Sequence, residues 1–247
     1  MWVRPARRII RAGRWPVDET GYQSQFVFDT MSRKHVLDVV SNTLEEQHLR
    51  PREFDHDDVL RIAFDQFWRK GVRGTSLSDI ARDAGVQRGS LYNAFGSKEA
   101  LFLQAYERYA GDYLLALQKA LGSGSLRKRL TAFFDLTITN FRSGSPPRGC
   151  PTTRGLMELG AAEGEGLDEE AREAFASLVS RITALVQDTL SAAAKRGEFN
   201  GNPASTALHI ITVTRGLGVL ERAYGDEAQL RKIAAHTIDL VLDKKGG

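Results

Sequence analysis

Thr-Ser-Leu-Ser-Asp-Ile-Ala-Arg-Asp-Ala-Gly-Val-Gln-Arg-Gly-Ser-Leu-Tyr-Asn-Ala-Phe-Gly-Ser-Lys, residues Thr75 to Lys98, is the stretch whose reading decides the fold. Leu77, Ile80, Ala81 and Ala84 recur at the three- and four-residue spacing of one helical face, and Thr75 or Ser76 can cap that helix with a side-chain oxygen. Gly85 supplies a turn. Val86, Leu91 and Phe95 then fit a second short helix that packs on the first and leaves Gln87, Arg88, Ser90, Tyr92 and Asn93 facing outward.

The chain on either side reads as more helix. Before the turn, Leu60, Ala63, Phe64, Phe67 and Trp68 predict an amphipathic support helix over about Asp57 to Lys70, with Asp57 and Asp58 at its positive end and Arg69, Lys70 and Gly71 at its negative end. Phe64 and Phe67 are expected in the core. After it, Ser97 can cap a helix from Lys98 to about Leu121 carrying Phe102, Ala105, Tyr106, Tyr109, Tyr113 and Leu117 on one side. Gly122-Ser-Gly-Ser breaks it, and Leu126 to Phe141 predicts the next. Gly144, Pro146, Pro147 and Gly149 exclude helix over Ser143 to Pro151, after which Thr152 or Thr153 can cap a short helix ending near Gly160. Ala171 to Ala193 keep one apolar face over several turns, and Gly197 ends that helix. Pro203 opens a helix apolar nearly all round, in which Gly216 and Gly218 permit close approach, and Asp226 with Gln229 starts the last one. No strand-length alternation or internal repeat occurs, so the fold class is all-α.

The order Thr-Ser-x-x-x-Ile-Ala-x-x-Ala-Gly-Val-x-x-Gly-Ser-Leu-Tyr-x-x-Phe-x-Ser-Lys-Glu-x-Leu from Thr75 closely resembles the TetR family of transcriptional regulators. With the preceding helix it covers about a fifth of the chain. The resemblance implies a helix-turn-helix DNA-binding domain over 51–98 and a larger helical ligand-binding and dimerisation domain over 99–247, which leaves residues 1–50 as a leader. It also implies a homodimeric repressor that binds double-stranded operator DNA and is released by a small-molecule effector, with no cofactor.

In a helix-turn-helix the second helix enters the major groove while neighbouring groups hold phosphate. Arg88 can donate two hydrogen bonds to guanine and Gln87 can pair with adenine, so these are the base-reading candidates. Thr75, Ser90, Tyr92 and Lys98 match family positions that usually hold phosphate, and Asn93 can do either. The family usually places His where this chain has Ala94, which removes one phosphate donor.

The family's effector cavity lies among the middle helices. Tyr106, Tyr109, Phe133, Phe134, Phe141, Cys150, Met157, Phe175 and His209 are the candidates to line it, although each also suits an ordinary core, and they favour an apolar or aromatic effector. The last two helices are the expected dimer face, through Ile210, Val213, Leu217, Leu220, Ile233, Ile238 and Val241. Cys150 lies in Arg148-Gly149-Cys150-Pro151-Thr-Thr-Arg154, beside two guanidinium groups and just ahead of a helix start, all of which favour thiolate. The segment resembles one found in TetR-type regulators, a few of which respond to electrophiles or oxidants. A chemical sensor and a small packing residue both remain open for this thiol.

The 247 residues are 42% hydrophobic, enough for a small domain and a larger one. The net charge of +3 is small, but between Arg61 and Lys98 seven cations (Arg61, Arg69, Lys70, Arg73, Arg82, Arg88, Lys98) stand against Asp65, Asp79 and Asp83. One cysteine excludes an intramolecular disulfide, and five scattered His offer no zinc-type spacing. No apolar run approaches the roughly 18 residues of a membrane span, so a cytoplasmic protein is expected. Arg4, Arg7, Arg8, Arg11 and Arg14 near Trp2 and Trp15 read as a basic arm or as a disordered leader, and Met31 is a conceivable alternative start. Val36, Leu37, Val39, Val40 and Leu44 suffice for a short extra helix. Two other classes are a helical scaffold without DNA binding and an enzyme built on Cys150 with His209; salt-dependent binding to a palindromic duplex separates both from a regulator.

Overall fold

Six of the helices begin where the sequence offers a side-chain acceptor for the free N–H groups of a first turn, as seen in a computed structural model that describes residues 54–144, 147–159 and 167–243. The arm, the extra helix and the alternative start expected within residues 1–50 lie outside the described residues. Asp55 caps α1 (His56–Lys70) by accepting from Asp57 N at 2.8 Å, and Ser76, not Thr75, caps α2 (Leu77–Ala84) by accepting from Asp79 N at 3.1 Å. Gly85, in the left-handed region at φ 67°, turns the chain into α3 (Arg88–Phe95), a conformation in which a Cβ would be strained. Ser97 caps α4 (Lys98–Ala120) and Ser125 caps α5 (Leu126–Phe141). α6 runs Pro151–Leu159, starting two residues ahead of where a Thr152 cap would put it; Thr152 lies inside the helix, buried with its hydroxyl 2.9 Å from that of Tyr106. α7 (Leu167–Lys195), α8 (Pro203–Tyr224, capped by Asn202) and α9 (Glu227–Leu242, capped by Asp226) complete the order. No strand occurs among the described residues.

One apolar core runs through the helices. Val59, Ala63 and Phe67 of α1 meet Leu77, Ile80 and Ala81 of α2 and Leu91 and Phe95 of α3. α4 carries the core onward, with Phe102 edge-on to Phe67 at 5.3 Å and Tyr109 stacked on Phe64 at 4.3 Å. Beyond it Phe133, Phe134 and Phe141 of α5, Phe175, Leu178 and Ile182 of α7, and Ile210 and Leu217 of α8 are closed to solvent. The residues from Arg52 onward cluster as a single unit, so the expected boundary at residue 98 is bridged by α4 and by shared core.

Several polar groups inside this core are paired across neighbouring helices. Tyr113 meets Thr137 at 3.1 Å, and Asn140 donates to the Tyr109 hydroxyl at 2.8 Å. Glu221, sealed inside α8, takes both oxygens to Arg142 at 3.2 Å, and Arg142 also donates to Gly225 O, which ties the end of α5 to the end of α8.

Burial pushes the Tyr113 phenol up to about 12, with its bond to Thr137 pulling the other way, and burial holds Tyr106 and Tyr109 well above the ordinary phenol range. A raised folded-state pKa leaves the stabilisation intact below the unfolded value near 10 and removes it as pH rises toward the folded value. The protein is therefore expected to lose about 1.4 kcal/mol per buried tyrosine for each pH unit above roughly 10. Melting temperature against pH checks this, and an unchanged melting temperature from pH 9 to 11.5 would show that the phenols ionise freely in the fold.

Candidate nucleic-acid interface

The turn at Gly85 sets α3 across α2, with Leu91 and Phe95 pointing inward. Phe95 is further held by the rings of His56 and Phe54, at 5.2 and 6.3 Å. What remains outside is the set Gln87, Arg88, Tyr92, Asn93 and Ala94, all exposed, with Ser90 half-buried. Gln87 precedes the helix and makes no side-chain cap bond. Arg88 donates to the Tyr92 hydroxyl at 3.2 Å and its guanidinium lies 5.3 Å over the Tyr92 ring.

Charge pairing sharpens the local excess of cations. Arg61 pairs with Asp58 at 3.2 Å, Arg69 with Asp65 at 2.7 Å, Lys70 with Asp79 at 3.5 Å, and Arg82 with Asp79 at 2.9 Å. Among the described residues Arg73, Arg88 and Lys98 make no ion pair, so they are the cations of the head left to face an anion. Arg73 was missed in the motif reading; its signal is a cation set between Gly71 and Gly74 in the loop that leads into α2. Lys98 opens α4, where unpaired N–H groups also favour an anion.

Thr75 requires a correction. It is buried, and its hydroxyl lies 2.7 Å from Gly71 O and 3.3 Å from Gln66 O, both acceptors of its one proton, so it has no side-chain donor to offer a phosphate. Thr75→Ala is expected to cost about 1 kcal/mol of stability and to leave the salt dependence of DNA binding unchanged. Arg73→Ala and Lys98→Ala should each reduce the steepness of log affinity against log salt by about 0.9. Equal slopes for all three variants and the wild type would remove Arg73 and Lys98 from the phosphate set.

The nine expected cavity residues are not brought together. Phe133, Phe134 and Phe141 are close-packed core, so their reading as ligand contacts is replaced by packing. Tyr106 and Phe175 border a small pocket with Phe64, Trp68 and Arg154, Tyr109 borders an open groove between α4 and α5, and the exposed His209 borders another with His236 between α8 and α9. Cys150 and Met157 share a cavity of about 340 Å³ between α6 and α8, with Thr153, Arg154, Glu158, Gly218, Val219 and Arg222. Met157 stands at its open side, 64% exposed. The Cys150 sulfur is buried and receives Thr153 N at 3.4 Å and Arg215 Nη1 at 3.3 Å. No histidine lines this cavity.

The expected dimer residues lie wholly or partly within the core of their own chain. Ile210, Leu217, Ile238 and Val241 are buried inside their own chain, and Val213, Leu220 and Ile233 pack against the same core. The large apolar groups that α8 and α9 turn outward are Leu208 at 61%, Val219 at 45% and Leu240 at 51% exposure, with Tyr224 at the exposed last position of α8. Leu208, Thr212, Gly216 and Val219 follow the four- and three-residue spacing of one stripe, with nothing near Gly216, whereas Gly218 faces inward.

Residues 59–105 match the family model described as bacterial regulatory proteins, tetR family, and residues 127–237 match that of a tetracyclin repressor-like C-terminal domain. The chain is 30% identical over 110 residues to the HTH-type transcriptional regulator YezE of Bacillus subtilis, a match that covers 44% of this chain and only 57% of that protein. It is 26% identical over 177 residues to the HTH-type transcriptional repressor NemR of Escherichia coli, covering 70% of this chain and 86% of NemR. Among solved structures it is similar to a cysteine mutant of the TetR family transcriptional regulator CifR complexed with 26 bp double-strand operator DNA, with a TM-score of 0.66, 28% identity, and coverage of 76% of this chain and 97% of that one.

Proposed function

The chain belongs to the TetR family of bacterial regulatory proteins, and we propose that it is a DNA-binding transcriptional repressor that grips a palindromic operator as a homodimer and releases it when a small molecule occupies the cavity beside Cys150. The observation that carries this reading is the pairing pattern of the head. Arg88 and Asn93 lie exposed on a short helix and Gln87 just ahead of it, while among the described residues Arg73 and Lys98 are cations without carboxylate partners. Base edges fall to Gln87 and Arg88, whose planar amide and guanidinium can each make paired bonds. Phosphates fall to Arg73, Ser90, Tyr92 and Lys98, with Asn93 serving either.

One three-helix head covers too little DNA for tight specific binding, so two copies reading two half-sites are needed. The outer stripe of α8, from Leu208 to Val219, with Leu240 of α9, is the face given to the second copy. The CifR complex with operator DNA and the description of NemR as a repressor support this reading. Val219 belongs both to that stripe and to the Cys150 cavity, so in this reading an effector bound there neighbours the dimer contact.

The Cys150 sulfur accepts from one guanidinium, that of Arg215, and from Thr153 N in the first turn of α6, and it lies on the cavity wall, where a nucleophilic thiol suits an electrophilic effector. Selection from a random duplex pool should yield a palindrome whose binding weakens steeply with salt, and failure to enrich any duplex removes the regulatory reading. Comparing release of that duplex by wild type and Cys150→Ser under an electrophile then decides between covalent capture and simple occupancy. Identical release by both proteins means that Cys150 only shapes the cavity.

A further inference from the structure

We propose that Arg154 is the positioning residue that relays occupancy of the Cys150 cavity to the reading head, through the exposed end of α1. This rests on the reading that the cavity's occupant controls DNA release. The last carbonyls of a helix have no partner within it. Arg154 supplies one: its Nη1 donates to Trp68 O at 2.8 Å and to Arg69 O at 2.9 Å, while its Nε donates to Glu158 Oε1 at 2.7 Å and so fixes the guanidinium plane. Gly71 closes α1 at φ 78°, and any Cβ there would run into the Glu158 carboxylate. Arg148, from the same segment, pairs with Asp65 of α1 and lies 5.4 Å over the Trp68 ring.

The other side of this segment is pinned to α8. A Cβ on Gly218 would stand 2.8 Å from the Cys150 Cβ, so only glycine allows the approach, and Arg215 reaches the sulfur from α8. The segment thus joins α8 to the end of α1. From there Gly71 O accepts the Thr75 hydroxyl next to the cap of α2. Arg154 and Glu158 are themselves walls of the cavity. An occupant that offers an acceptor oxygen, such as a carbonyl compound, competes with Trp68 O and Arg69 O for the guanidinium and loosens α1 beneath the head.

Cys150 is the only cysteine, so iodoacetamide delivers such an oxygen to one place. The thiolate carbon–sulfur bond forms as carbon–iodine breaks, the thiol proton passing to solvent. The full chain, with Arg154→Met and Arg154→Lys, is assayed on the selected duplex before and after modification, together with hydrogen exchange of the amides of residues 67–75. Modified wild type should lose affinity about tenfold or more and exchange faster at the end of α1. Arg154→Met should exchange fast from the outset and change affinity less than about twofold on modification, with Arg154→Lys between. If the Met variant does not fold, Glu158→Gln, which frees the guanidinium plane, is expected to give the same pattern in weaker form. Equal losses by wild type and the variants overturn the relay and leave the effector reading standing. A wild type whose affinity is untouched by modification overturns the effector reading, and the relay with it.

Discussion

Val219→Glu and Leu208→Glu are each expected to turn the proposed homodimer into folded monomers, whereas Leu217→Glu is expected to yield no stable protein. The three positions lie on one helix and differ in where they point. Leu217 is 1% exposed in the core shared with α5 and α7, so a carboxylate there is buried without a partner and costs more than about 4 kcal/mol, a large part of a typical domain's roughly 5–15 kcal/mol. Val219 and Leu208 stand in solvent in the single chain, and a glutamate at either should alter monomer stability by less than about 0.5 kcal/mol. Across a two-fold axis each new carboxylate faces its own copy's surface, which removes apolar contact and adds like charge. Sedimentation velocity with thermal melts separates the cases. A folded Val219→Glu and Leu208→Glu that both still sediment as dimers would move the interface off α8.

Arg88→Ala is expected to weaken operator binding by about 1–3 kcal/mol and to relax preference at one base pair. In the free protein Arg88 is not searching. Its bond and ring contact to Tyr92 hold the guanidinium at the start of α3, where paired donors can reach a guanine edge. Part of the loss should therefore appear in Tyr92→Phe, which keeps the ring and deletes the hydroxyl. Lys98→Ala makes the contrast, since losing a phosphate contact lowers affinity for every duplex alike. Binding titrations on the selected duplex and on single-base variants measure both effects. Unchanged discrimination by Arg88→Ala would assign base reading to Gln87 and Asn93.

The alternation of apolar and polar residues and the placing of cap residues determined, without any structure, the order of helices, the turn at Gly85, the support helix before it and half of the side-chain caps, because these depend on neighbours within one turn of the chain. Ser76, Ser97, Asp226 and the Leu77–Ala84 face could be read that way. The outward set on α3 was legible for the same reason, since Leu91 and Phe95 define the inner face and leave Gln87, Arg88 and Asn93 outside. Periodicity reports that a helix has an apolar side, but not which of two partners that side meets. Leu217 and Val219 are both apolar on a helix apolar nearly all round, and only packing against α5 and α7 sends one inward and leaves the other for a second copy. Thr75 matched the motif, yet its hydroxyl is consumed by Gly71 O, a bond that exists only once α1 has ended beside α2. The same holds for Arg154: nothing in its local sequence points 85 residues back to the last carbonyls of α1, and only the folded core brings the two together.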